Sequence, residues 1–147
     1  MRRILVLHGP NLNALGTREP DVYGRVSLED VDRRLAELGT ELDCRLEFLQ
    51  SAHEGVLIDS LHNARGRADG VLLNPAGLTH TSVSLRDAVR AAGIPVVEVH
   101  VTNPHAREPF RHNSLISGAA LGVVQGFGVD SYLLGLRALV GHLSRGC

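Results

Sequence analysis

Residues Arg3-Ile4-Leu5-Val6-Leu7 run with no alternating polar face into His8-Gly9-Pro10-Asn11. A short continuous apolar run closed by turn residues reads as a strand buried on both faces, the kind found in a parallel sheet between two helical layers. The arrangement recurs twice. Gly70-Val71-Leu72-Leu73 ends in Asn74, and Val96-Val97 ends in Glu98-Val99-His100. Carboxyl ends of adjacent parallel strands open into the crevice where such sheets hold ligands. Three strands ending there in side chains that bind or move protons point to a catalytic site.

Outward from these strands, the chain alternates strand and helix patterns without a repeat, linker or low-complexity segment. Strand one covers Arg3 to Leu7. A helix follows from about Ser27 to Leu38, where Ser27-Leu28-Glu29-Asp30 resembles a capping box and Val31, Leu35 and Leu38 share a face. Strand two is Cys44 to Leu49. A second helix runs from Glu54 to Arg65 with Leu57, Leu61 and Ala64 inward. After strand three, Val71 to Leu73, a third helix starts behind Thr81 or Ser82 as N-cap and stops at Gly93. Strand four is Pro95 to Val99 and strand five Gly122 to Gln125. The last helix spans Asp130 to Leu143, with Leu133, Leu136, Val140 and Leu143 at helical spacing. Five such units predict a parallel sheet covered on both faces, in a flavodoxin-like doubly wound α/β fold of order 2-1-3-4-5.

Two connections are longer than such units need: Gly9 to Val26, and Val101 to about Ser114. Both leave carboxyl ends of strands, where long loops serve as lids or binding loops. The 147 residues are read as one catalytic domain. A formal charge of −1 and the lack of any basic run or spanning apolar stretch favour neither nucleic acid nor membrane. No leader pattern is read at the start, and Cys44 and Cys147 make no disulfide framework, so a cytoplasmic location is expected. The chain has no lysine: all fifteen basic residues are arginine. Imine catalysis needs a lysine amine, and a Walker-type phosphate loop needs its lysine, so both are excluded.

The candidate chemistry lies in three segments. In the first loop, a phenol of ordinary pKa near ~10 is a poor base unless cations stabilise its phenolate, and Arg18 lies five positions from Tyr23 to supply that charge. After strand three, Asn74 and His80 stand near a helix start, where free amides favour an anion. On strand four, Glu98 and His100 share a face by alternation, so a Glu98–His100 or a Glu98–His80 bond is expected. A carboxylate orienting an imidazole makes a general acid or base. Arg107 and Arg111 either form a solvated face or clamp a carboxylate. His100, His105 and His112 lack zinc-ligand spacing, and no metal is expected. No Gly-x-Ser-x-Gly elbow marks a hydrolase, and an electron carrier binding flavin lacks its phosphate loop and aromatic partners.

Segments spread along the chain carry a family likeness. Gly9-Pro10-Asn11-Leu12-Asn13, Leu15-Gly16, Arg18-Glu19-Pro20 through Tyr23-Gly24, Leu78-Thr79-His80-Thr81-Ser82-Val83, Arg86-Asp87-Ala88 and Glu98-Val99-His100 through Arg107-Glu108 and Phe110-Arg111 resemble type II 3-dehydroquinate dehydratase. The resemblance implies dehydration of 3-dehydroquinate to 3-dehydroshikimate in the shikimate pathway, through an enolate and with no cofactor or metal. It implies Tyr23 as the base taking the C2 proton, Arg18 lowering its pKa, and a water near Asn11 stabilising the enolate. His100 is implied as proton donor to the departing C1 hydroxyl, with Asn74 positioning both the histidine and the substrate. His80, Arg111 and the Val101-Thr102 backbone are implied as substrate binders, with Glu98 and Arg107 in support. Asp87 is implied to act from a neighbouring subunit, in a homododecamer built as a tetramer of trimers.

Three places depart from the family pattern, one of them His112-Asn113, which shifts the local polarity after Arg111. Thr102 stands where serine is usual, and Pro75-Ala76-Gly77 replaces the usual Pro-Gly-Ala order, so the backbone after Asn74 need not follow the family. Quinate breakdown by the same reaction, an anion-binding module of the same fold, and a hydrolase built on Ser82, His80 and an acid are the competing readings.

Overall fold

The computed structural model describes residues 1–17, 19, 21 and 25–146. Five strands, β1 (Arg2–His8), β2 (Cys44–Gln50), β3 (Gly70–Asn74), β4 (Val96–His100) and β5 (Gly122–Gln125), form one sheet in the order β2-β1-β3-β4-β5. Every pairing is parallel. Four α-helices accompany it among the described residues: α1 (Leu28–Glu41), α2 (Glu54–Ala64), α3 (Val83–Ala91) and α4 (Val129–Ser144). This is the flavodoxin-like doubly wound order expected from the sequence.

Strand alternation divides the core in two. Ile4, Val6, Leu72, Val97 and Val99 face α1 and α4, against Val31, Leu35, Tyr132, Leu136 and Leu139. Leu7, Val71, Leu73 and Val96 face α2 and α3, against Leu57, Leu61, Leu85 and Val89. Each fully buried aliphatic side chain contributes about 1.5–3 kcal/mol, and β3 and β4 are buried along their whole length.

The helices begin where their caps dictate. Ser27 accepts from the Asp30 amide while the Asp30 carboxylate accepts from the Ser27 amide, which is the capping box. Of the two candidate caps for α3, Ser82 is the one used: its hydroxyl accepts from the Leu85 amide at 2.9 Å.

Helices cover both faces of the sheet, α1 and α4 on one and α2 and α3 on the other. At the edge strand β5, Val124 packs on the α4 side and Val123 is 41 % exposed. The buried face of α4 holds the expected Leu136 and Val140, with Leu133 and Leu143 partly buried against the same core, and extends to Tyr132, Gly135 and Leu139. Gly135 has no side chain, which lets α4 approach Val99 and Leu72.

Candidate active site

The sheet register sets the site. β1 and β3 end together, His8 opposite Asn74, while Glu98 of β4 lies opposite Leu73 and His100 extends beyond it. Gly9 leaves β1 against the chain that leaves β3: its amide donates to the Asn74 carbonyl at 2.8 Å, and a Cβ there would lie 2.7 Å from the Pro75 oxygen. Only glycine permits that approach.

A cavity of about 160 Å³ opens at these strand ends. The loop after β1 contributes Pro10, Asn11 and Leu12, with Asn11 in the left-handed region at φ 70°. Asn74, Ala76, Gly77 and His80 line it from the β3 side. From β4 and the loop beyond come His100, Val101, Thr102, Pro104, Arg107 and Arg111. A larger groove of about 490 Å³ lies along the first residues of β1 and β2, but it holds none of the groups read as catalytic.

His100 and Glu98 make the site's central pair. Of the two bonds left open by the sequence, Glu98–His100 is the one formed, His100 Nε2 donating to Glu98 Oε2 at 2.5 Å. Thr79 Oγ1 donates to the same oxygen at 2.6 Å, and Ser117 Oγ donates to Oε1 at 2.5 Å. Ser114 in turn donates to Thr79 Oγ1, since that hydroxyl's proton is already committed to Glu98. Burial pushes the Glu98 carboxyl up, but the hydrogen bond and charge of His100 and the two hydroxyls outweigh it and hold it below the ordinary range. Glu98 is therefore a carboxylate with no solvent exposure, and His100 is oriented with Nδ1 as the nitrogen left for chemistry.

Around this pair the arginines are held in place. Arg107 Nη1 donates to Thr102 Oγ1 at 3.2 Å, so the threonine that replaces serine keeps a working hydroxyl. Arg111 Nε donates to Glu108 at 2.5 Å, a bond that draws the exposed Glu108 carboxyl below its usual pKa. His80 bonds the Asn113 carbonyl through Nδ1 at 2.7 Å rather than Glu98. A carbonyl only accepts, so His80 carries its proton on Nδ1 and has Nε2 left for a ligand. Ala76 takes φ 52°, so the altered Pro75-Ala76-Gly77 order puts an alanine in a left-handed conformation.

Eight sequence-predicted residues thus meet at one cavity: Asn11, Asn74, His80, His100, Val101, Thr102, Arg107 and Arg111. Glu98 stands directly behind His100. Asp87 lies on α3, exposed and away from the cavity lining of its own chain. Arg18 and Tyr23 lie outside the described residues. His8, read as a proton-moving group at a strand end, is buried beneath the cavity instead. Asn74 bonds Tyr132 and the Ala76 amide. Sequence reasoning missed Thr79, Ser114, Ser117 and Tyr132. Thr79 sits within a noted segment beside His80, but nothing local marks Ser117 or Tyr132 as partners of residues so distant in sequence.

A doubly wound fold with a carboxylate-oriented histidine and two arginines at its strand ends defines a class: an enzyme that handles a small anion. Comparison with known proteins narrows it. The family model for class II dehydroquinase matches residues 2–140. The chain is 59 % identical over 144 residues to a protein named 3-dehydroquinate dehydratase from Desulforudis audaxviator, covering 98 % of this chain and 96 % of that one. It is 57 % identical to the protein of that name from Gloeobacter violaceus, over 97 % of this chain and 89 % of that one. Among solved structures, the type II dehydroquinase from Propionibacterium acnes superposes with a TM-score of 0.92 at 39 % identity, covering 96 % and 97 % of the two chains. That from Butyrivibrio crossotus also reaches 0.92, at 36 % identity over 94 % and 97 %. The chain belongs to the class II dehydroquinase family.

Proposed function

We propose that this enzyme dehydrates 3-dehydroquinate to 3-dehydroshikimate by a stepwise anti elimination through an enolate, without a Schiff base or metal. The observation that carries the proposal is the Glu98–His100 pair at a cavity that also holds Asn11, Arg107 and Arg111, in a chain of this family. Tyr23, its pKa lowered by Arg18, takes the C2 proton as phenolate. The developing negative charge moves onto the C3 oxygen, where a water held near Asn11 stabilises it; such electrostatic stabilisation replaces covalent activation in a chain that has no lysine. Collapse of the enolate breaks the C1–oxygen bond. The imidazolium of His100 gives its proton to the departing hydroxyl, which leaves as water, while Glu98 balances the imidazolium charge.

His80, Arg111 and the Val101-Thr102 backbone bind the substrate, its carboxylate included. Asp87 acts on the site of a neighbouring subunit in a trimer-based dodecamer, a role consistent with its exposure on α3. The enzyme acts in the cytoplasm; among the described residues, no helix is long and apolar enough to cross a membrane. The hydrolase alternative loses its nucleophile, because Ser82 is buried, caps α3 and does not line the cavity.

The test is to add 3-dehydroquinate to the purified protein and follow the ultraviolet absorbance of the conjugated product. Growth of that band with enzyme-dependent rate is expected. Binding of 3-dehydroquinate with no product at high protein concentration would instead make the protein an anion-binding module.

A further inference from the structure

Beneath the cavity, four side chains from four elements form a line, of which only Asn74 has a part in the reading above. Asn74 ends β3, His8 ends β1, Tyr132 lies in the first turn of α4, and Asp32 lies on α1. Asn74, His8 and Tyr132 are each at most 2 % exposed. Giving every donor along the line an acceptor fixes one direction for each bond. The Ala76 amide donates to Asn74 Oδ1 at 3.0 Å, which turns the other end of the amide, Nδ2, toward Tyr132, where it donates to the phenol oxygen at 2.9 Å. With that oxygen accepting from Asn74, the phenol proton goes to His8 Nδ1, 2.9 Å away. An Nδ1 that accepts leaves the imidazole proton on Nε2, which donates to Asp32 Oδ1 at 2.7 Å. The phenol keeps its proton at working pH: burial pushes its pKa far above the ordinary value, the Asn74 bond opposes this weakly, and the Asp32 charge adds to it. Asp32, 29 % exposed at its side chain, is the point where the line reaches solvent.

We propose that Tyr132, His8 and Asp32 are positioning residues for Asn74, and that the run of donated bonds Asn74→Tyr132→His8→Asp32 fixes which amide hydrogen and which lone pair Asn74 presents to the cavity. An amide flip would set Oδ1 against a phenol oxygen whose proton belongs to His8, and Nδ2 against the Ala76 N–H. Both are repulsive, so the line holds one amide orientation against the other. A cavity residue held in one orientation stabilises a transition state without reorganising, which is where such a device acts. The effect on catalysis rests on the proposed dehydratase reading, whereas the direction of the bonds does not.

The experiment therefore has two parts. Nitrogen NMR of histidine-labelled protein, with His8 assigned through the His8→Asn variant, should show His8 neutral with its proton on Nε2 at neutral pH. An Nδ1-protonated or doubly protonated His8 would overturn the proposal, whatever the substrate proves to be. For turnover of 3-dehydroquinate, Tyr132→Phe should lower kcat roughly ten- to a hundredfold with little change in KM. The same change made in an Asn74→Ala background should cost almost nothing more, because the line acts through Asn74. His8→Leu should behave as Tyr132→Phe does. His8→Asn, whose amide can place an acceptor where Nδ1 stood, should recover most of the loss. A kcat unchanged in Tyr132→Phe and His8→Leu, or an undiminished loss in the Asn74→Ala background, would show a line that serves folding alone and would overturn the proposal.

Discussion

Glu98 is a carboxylate without solvent contact, and three donors are the reason it stays charged. A buried acceptor with its donors matched is expensive to disturb from either side. In Glu98→Gln an amide N–H must face at least one of these donors, and a loss of about 3–5 kcal/mol is expected from urea unfolding. The pH dependence carries the sign. Because the folded-state pKa lies below the ordinary 4.5, the carboxylate's contribution is full above that value and is lost as the pH falls below it. The urea midpoint of the parent protein should therefore fall more steeply in acid than that of Glu98→Gln; parallel curves would mean that Glu98 is not the ionised group described here. Ala76 offers the opposite case, a residue that local chemistry would not choose. A left-handed alanine costs roughly 1–2 kcal/mol, against about 0.5–1 kcal/mol for the extra freedom of glycine in the unfolded chain. Ala76→Gly should raise the thermal midpoint modestly, by a net gain of up to about 1.5 kcal/mol; a lower midpoint would contradict the φ of 52°.

Strands and helices were legible wherever one physical signal dominated. The runs at Arg3, Val71 and Val96 are apolar because they are sheet interior, and the capping chemistry of Ser27 and Ser82 is local, so both could be read without tertiary information. The face of α4 was legible at Leu136 and Val140 but not at Tyr132 and Gly135, each of which meets a neighbour far away in sequence. Val123 of β5 obeys strand chemistry yet is 41 % exposed, which the strand pattern by itself does not reveal. Two substitutions test the joints between elements. Gly9→Ala should cost about 1–3 kcal/mol and reduce turnover, since the added Cβ meets the Pro75 carbonyl and forces the β1 and β3 exits apart. Ser82→Ala should cost about 1 kcal/mol through the lost cap while kcat for 3-dehydroquinate holds. A collapse of kcat with little change in stability would return Ser82 to the chemistry.

Across the fold, the strand ends carry the polar groups that line the cavity, and a layer behind them holds Glu98 and Asn74 through hydrogen bonds. The groups at the strand ends were readable because polar residues terminating apolar strands have few other uses. The supporting layer was not. Thr79, Ser114 and Ser117 converge on Glu98, and Tyr132 and Asp32 converge on His8, only after the chain has folded. Single hydroxyls and a lone tyrosine carry no pattern by which sequence could select them. Residue chemistry alone pairs Arg18 with Tyr23; the family likeness implies the role of that pair as base and the identity of the ring it acts on. That pairing is tested most directly by Tyr23→Phe, with turnover read from the product's ultraviolet absorbance and 3-dehydroquinate affinity from calorimetry on the same sample. Turnover should fall by at least about 10²–10⁴-fold while the ligand still binds and the protein stays folded. A Tyr23→Phe enzyme that forms the conjugated product at the parent rate would contradict the account.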